Sequence, residues 1–164
     1  MAPKIAIVFY TLAEAEKKGI EAAGGTADLY QIPETLNDEI LGKMYIPSTR
    51  RSTVLLTRLL HQGALWGKYA GLFVGSGGQG GGQESTAIAT LSTLTHHGLI
   101  YVPLGFKTTS ALQSEINEVR GGSAWGAGTF AGADGSRQPS AKEIELATEQ
   151  GKAFYGAVSK VNFA

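Results

Sequence analysis

No cysteine occurs among the 164 residues. That absence removes disulfides, thiolate metal sites and cysteine nucleophiles together, and it accords with a reducing compartment. Nor is either charge in excess: fourteen Lys plus Arg face fourteen Asp plus Glu, and the pI is about 6.8. Nucleic acids and anionic membrane surfaces select a basic excess, so neither is an expected partner. Long hydrophobic runs are missing too, and none approaches the ~20 residues that span a bilayer. Met1-Ala2-Pro3-Lys4 leads directly into a strand-like segment. The expectation is a soluble, unprocessed, cytoplasmic protein. Its length, within the ~100–200 residues usual for one domain, points to a single domain over residues 1–164.

What the chain does have is glycine: 23 of 164 residues, or about 14 %, near twice the usual ~7 %. The excess is clustered. Six of the eight residues from Gly75 to Gly82 are glycine, and six more lie from Gly121 to Gly135. Apolar, periodic segments flank both clusters, which argues against flexible linkers. Such backbone must turn sharply or approach something closely.

Lys4 to Tyr10 is a β-branched and aromatic run, the pattern of a strand buried on both faces. Thr11-Leu12-Ala13-Glu14 reads as a Thr-x-x-Glu capping box, opening a helix whose inner face carries Leu12, Ala15, Gly19, Ile20 and Ala23. Gly24-Gly25 stops that helix, and Ala27 to Ile32 is a second strand. Leu36 to Met44 reads as a weak helix, whereas Ile46 to Gln62 fits strand and helix patterns equally. Tyr69 to Val74 is a strand running into the first glycine cluster; Glu84 to His97 is a helix closed by Gly98; Leu99 to Leu104 is a further strand. Ser140-x-x-Glu143 is a second capping box and opens a terminal helix reaching about Val161.

Strands alternating with helices indicate an α/β three-layer fold with a parallel sheet. Ligands of such sheets sit at the carboxyl ends of the strands, in the strand-to-helix loops. The Gly75–Gly82 loop has that place. A phosphate or a flat ring lying on bare backbone would account for its glycines, although Gly80-Gly81-Gly82 is neither a dinucleotide fingerprint nor a Walker loop.

Gly75-Ser-Gly-Gly-Gln-Gly-Gly-Gly-Gln-Glu84, Thr95-His-His-Gly98, Tyr101-Val-Pro-Leu-Gly105 and the stretch Arg120 to Ser140 resemble the flavodoxin-like NAD(P)H:quinone oxidoreductases of the WrbA type, in particular their fungal branch. The resemblance covers residues 1–45 and 63–164. It implies strand order 2-1-3-4-5, bound FMN, NADH or NADPH as co-substrate, two-electron reduction of a small-molecule quinone, and a homodimer or homotetramer. It also implies that Gly75, Ser76, Gly77, Gly78, Gly80 and Gly81 support the isoalloxazine ring and that His96 lies beside it. Read without the resemblance, a histidine in the last helical turn only answers the helix dipole; His97 keeps that structural reading. Trp66 and Trp125 are expected in the core or an interface. Arg137 and Asp134 are expected to shape the loop before the terminal helix. Trp125 and Phe130, on the glycine-rich segment Gly121–Gly135, would be exposed in a monomer, which favours the oligomer. Flavin carries the redox chemistry, so no side chain is assigned as catalytic and no metal site is expected.

The chain departs from the family pattern twice. The family's phosphate-binding loop after the first strand has no counterpart, since Tyr10 is followed at once by Thr11. Between Tyr45 and Gln62 there is too little chain for the family's third strand, its loop under the flavin and its tryptophan-rich helix. Ile46-Pro-Ser-Thr-Arg50 matches that loop imperfectly, with Thr49 and Arg50 as its cofactor-side residues. The third strand is therefore expected to be absent or degenerate. Either the sequence lacks segments of a longer protein, which is preferred and would leave Tyr10 and Thr11 unbonded, or the chain is a shortened variant with a repaired sheet. A flavin-free structural or interaction module is the alternative function.

Overall fold

The computed structural model describes residues 3–9, 12–31 and 60–162. Thr49, Arg50, the segments Leu36–Met44 and Ile46–Leu59, and the junction of Tyr10 with Thr11 lie outside them.

The described residues form an α/β structure of short parallel strands and helices. In chain order these are β1 (Ile5–Phe9), α1 (Ala13–Ala22), β2 (Ala27–Gln31), β3 (Tyr69–Ala70), β4 (Val74–Ser76), α2 (Gln83–His96), β5 (Ile100–Tyr101), α3 (Ser110–Ser114), β6 (Gly128–Phe130) and α4 (Ala141–Val158). The strands pair as three parallel couples, β1 with β2, β3 with β5 and β4 with β6. The segment expected as one strand from Tyr69 to Val74 is thus split, with Gly71, Leu72 and Phe73 outside either ladder. Gly126 explains part of the interruption. A Cβ there would lie 1.9 Å from the Leu72 carbonyl oxygen, so the returning chain crosses on bare backbone.

No strand among the described residues stands between β1 and the β3–β4 segment. A cavity of about 730 Å³ lies there, lined by Ile5 and Ile7 on one side and Tyr69 to Phe73 on the other. In the expected order the third strand parts these same two. Ala6 is exposed, which corrects the expectation that the first strand is buried on both faces.

Helices α1 and α4 pack backbone to backbone. A Cβ on Gly19 would stand 1.9 Å from the Thr148 carbonyl oxygen, and one on Gly151 would stand 2.1 Å from that of Glu16. Ile20 and Leu146, both fully buried, lie in the apolar clusters on either side of this crossing. The expected box at Ser140 forms completely: its hydroxyl accepts from the Glu143 N–H, and the Glu143 carboxylate accepts from the Ser140 N–H. Thr11, the expected cap of the first box, lies outside the described residues. Helix α1 begins one residue later than expected, with Leu12 at its N-cap in the left-handed region (φ 60°) and no side-chain cap. The stop at Gly24 is as expected, with φ +90° and the Gly25 N–H returning to the Ile20 carbonyl. No helix among the described residues is long and apolar enough to cross a membrane.

Candidate functional site

The Gly75–Gly82 loop leaves the carboxyl end of β4 and enters α2, the position at which open parallel sheets bind ligands. Gly75 lies in the ladder opposite Thr129. Ser76 then turns the chain: its hydroxyl donates to the Gly78 carbonyl (3.1 Å), and the Gly81 N–H returns to the same carbonyl (3.1 Å). Gly80 and Gly82 have φ of +69° and +82°, where only glycine is unstrained.

The two glycine clusters do different work. A Cβ on Gly78 or Gly80 would meet nothing within 4 Å, and one on Gly77 only the Gly132 carbonyl at 3.8 Å. These glycines are exposed and border open space. By contrast, a Cβ on Gly121, Gly122 or Gly128 would come within 2.5–2.7 Å of neighbouring backbone or side-chain atoms. Gly121, Gly122, Gly126 and Gly128 of the second cluster serve internal packing, whereas Gly77, Gly78 and Gly80 of the first leave bare backbone open.

Gln83, which the sequence did not single out, fixes the loop to the rest of the chain. Its amide nitrogen donates to the Thr129 carbonyl (2.9 Å) and to the Ser76 hydroxyl (3.1 Å), while its oxygen accepts from the Gly122 N–H (2.8 Å). No pattern marks a glutamine after three glycines as such a clasp. Behind it, the fully buried Glu143 carboxylate accepts from Arg137 (2.9 Å), the Gly121 N–H (2.8 Å), the Thr129 hydroxyl (2.9 Å) and the Ser140 N–H (2.8 Å). Burial pushes the Glu143 carboxyl up, but these donors outweigh it and hold it below the usual carboxylate range. Arg137 also donates to the Phe130 carbonyl (2.7 Å), and Asp134 accepts from Ser136, so both shape the loop as expected.

His96 is not brought to the loop within one chain. It ends α2 while the loop begins it, and fourteen helical residues set the two about 20 Å apart. Its exposed ring bonds the Ser92 carbonyl at 2.7 Å. His97 is buried, with no protein partner at Nδ1. Phe130 is buried in β6, and the Gly121–Gly135 segment folds back on its own chain, which removes the exposed apolar loop invoked for an oligomer. Trp125 stacks on Tyr101 with ring centroids 6.4 Å apart, and the Tyr101 hydroxyl donates to the Trp125 carbonyl. Trp66 is 77 % exposed, so it does not belong to the core.

The residues present fit one half of FMN. The open glycine backbone suits a flat ring. The phosphate would belong at the N-terminus of the helix after β1, and there the chain offers the apolar Leu12 as cap and the exposed Glu14 in the first turn. Those residues do not fit a dianion. Among the described residues no cluster of His, Cys, Asp or Glu could hold a metal ion.

No family model matches the chain. Known proteins do. It is 53 % identical over 204 positions to the minor allergen Cla h 7 of Davidiella tassiana, an alignment that covers 99 % of this chain and 100 % of that protein. It is 46 % identical to the minor allergen Alt a 7 of Alternaria alternata, over 99 % of this chain and 100 % of the relative. To the NAD(P)H quinone oxidoreductase PST3 of Candida albicans it is 47 % identical, over 98 % of this chain and 100 % of the relative. An alignment of 204 positions against a chain of 164 leaves at least 40 positions with no residue here.

Proposed function

Because the chain belongs to the fungal branch of the WrbA-type NAD(P)H:quinone oxidoreductase family, we propose that it reduces small-molecule quinones by two electrons, at the expense of NADH or NADPH, on a flavin held at the Gly75–Gly82 loop. The observation that carries this reading is the open face of that loop, where Cβ atoms on Gly78 and Gly80 would meet nothing. Relatives 41–47 % identical are named NAD(P)H quinone oxidoreductases. Flavin supplies two-electron chemistry between a nicotinamide and a quinone when bound; the protein supplies place and orientation.

The chain's own contribution is positional. Ser76 and Gln83 hold the loop in shape from below, and Gln83 ties it to β6 and to the Gly121–Gly122 turn. Glu143 and Arg137 anchor that turn in their own network. No side chain is needed as an acid or base, and none is assigned that role. We place the chain in the cytoplasm and the sheet in the flavodoxin-like order 2-1-3-4-5 with its third strand absent or degenerate. We also propose a homodimer or homotetramer, now supported by the exposed Trp66 and Ile116 instead of the Gly121–Gly135 segment. Light scattering giving a monomer mass at micromolar concentration would exclude it.

Reconstitution tests the function. Purified protein supplemented with FMN is expected to gain a protein-bound flavin spectrum and to oxidise NADH in the presence of benzoquinone. Protein that stays colourless after FMN is added and desalted away, with no benzoquinone-dependent oxidation, would favour the flavin-free module.

A further inference from the structure

We propose that the cavity between β1 and the Tyr69–Phe73 segment is a second ligand site, which takes a neutral, mainly apolar molecule and accepts a hydrogen bond from its N–H or O–H group at the Glu16 carboxyl. The site stands apart from the flavin reading, since none of the residues from Gly75 to Gly82 lines it.

Protein interiors leave few voids larger than a water molecule. This space of about 730 Å³ instead falls in the ~300–1,000 Å³ range of small-molecule sites. Its walls are of the matching kind. Ile7 of β1, Ile20 of α1, Leu94 of α2 and Phe154 of α4 line it together with Tyr69 and Phe73. Such a lining favours an apolar body with substantial ring or branched surface.

Two buried polar side chains also line the cavity, Glu16 and Gln150. Gln150 is committed: its nitrogen donates to the Leu72 carbonyl (2.8 Å), and its oxygen accepts from the Ala127 N–H. Glu16 is only 5 % exposed, and its Oε1 has no hydrogen-bond partner. Burial is the whole cause that holds its carboxyl well above the usual carboxylate range. A buried oxygen left unpaired weakens the fold that contains it. At the wall of an apolar cavity the same oxygen is an acceptor held ready for a bound molecule. Concave apolar surface, a polar group on its wall and a displaced pKa together mark small-molecule sites.

Charge makes a neutral ligand the better fit. Lys4 and Lys68, both exposed, line the cavity immediately before β1 and β3. With the exposed Trp66 they mark where it reaches solvent. An organic cation would meet these two ammonium groups, and an anion would meet Glu16; in either case a charge would leave water.

Calorimetric titration of the full chain with indole and with 1-methylindole tests this, because the two share an apolar ring system and differ at the N–H. Indole is expected to bind at one site per chain, and 1-methylindole about tenfold more weakly, the worth of one hydrogen bond to a buried acceptor. Glu16→Leu removes the orphan oxygen and keeps the wall apolar, so it is expected to bring the two affinities within about twofold of each other. Gly77→Val, at the glycine loop, is expected to leave indole binding unchanged. Indole binding lost in Gly77→Val would place the probe at the glycine loop and overturn the proposal. Equal affinities for the two probes in the parent, or a difference that survives Glu16→Leu, would overturn the role of Glu16. An absence of saturable heat with indole up to millimolar concentrations would show that the cavity takes no ligand of this class, and would leave the flavin reading untouched.

Discussion

Gln83→Ala removes the clasp between the glycine loop and the rest of the chain, and its cost follows from the bonds lost. Truncation leaves the Thr129 carbonyl and the Gly122 N–H without their partners at 2.9 and 2.8 Å. Each unsatisfied buried group costs about 1–3 kcal/mol, and partial burial here favours the lower half of that range, so the total is roughly 2–4 kcal/mol. For a chain of this length each kcal/mol lowers Tm by ~2–4 °C, so a fall of about 5–15 °C is expected. Urea unfolding followed by far-UV circular dichroism measures the first quantity and thermal melting the second. Gln83→Glu retains the acceptor for Gly122 but loses both donated bonds and sets a carboxylate against the Thr129 carbonyl; it should be no more stable than the alanine variant. A Gln83→Ala protein within about 0.5 kcal/mol of the parent, the ordinary range for surface changes, would refute the clasp.

Gly151→Ala forces a methyl group to within 2.1 Å of the Glu16 carbonyl oxygen. The helix-propensity gain of ~1 kcal/mol is outweighed by overpacking, for a net loss of about 2 kcal/mol in urea titration. Gly156→Ala, with nothing within 4 Å, is the control and should be neutral or stabilising. Glu143 has a depressed pKa in the folded state, so its stabilisation is present above the unfolded value and lost as pH falls through the folded one. Glu143→Gln should therefore cost about 3 kcal/mol at neutral pH and progressively less in acid, read by unfolding at a series of pH values. Glu16 is the opposite case. Burial raises its carboxyl, its Oε1 has no partner, and stability is lost as pH rises through the folded pKa. Glu16→Gln should stabilise the protein at neutral pH, with the gain shrinking toward about pH 4 in the same series.

Where local chemistry decides structure, the sequence was readable. The Ser140–Glu143 box, the Gly24 stop and the helix before Gly98 all depend on residues within a turn of one another. Residues whose fate depends on distant packing were not. Thr11 and Glu14 have the composition of a capping box, but helix α1 takes Leu12 as its N-cap, with its side chain partly buried against the Leu104–Leu146 cluster. Glu16 shares the inner helical face of Leu12, Gly19 and Ile20, and although a carboxylate is ordinarily exposed, the crossing of α1 over Gly151 buries it. Phe130 looks exposed on a glycine-rich segment until the Val74–Gly128 ladder makes it a strand residue. The glycine loop stood out because its excess of glycine suggested no packing purpose, and Gly77, Gly78 and Gly80 do border open space. The second cluster had such a purpose, visible only once the backbones of Gly126 and Leu72 were seen to touch.

The central claim is that the Gly75–Gly82 backbone carries the flavin on which a quinone is reduced. Gly77→Val addresses it most directly, since the added side chain enters open space and should leave the far-UV circular dichroism unchanged. Benzoquinone-dependent NADH oxidation, measured with added flavin on the parent and on this variant, is expected in the parent and largely lost in the variant. Equal rates in the two proteins, or no rate in either, would contradict the account.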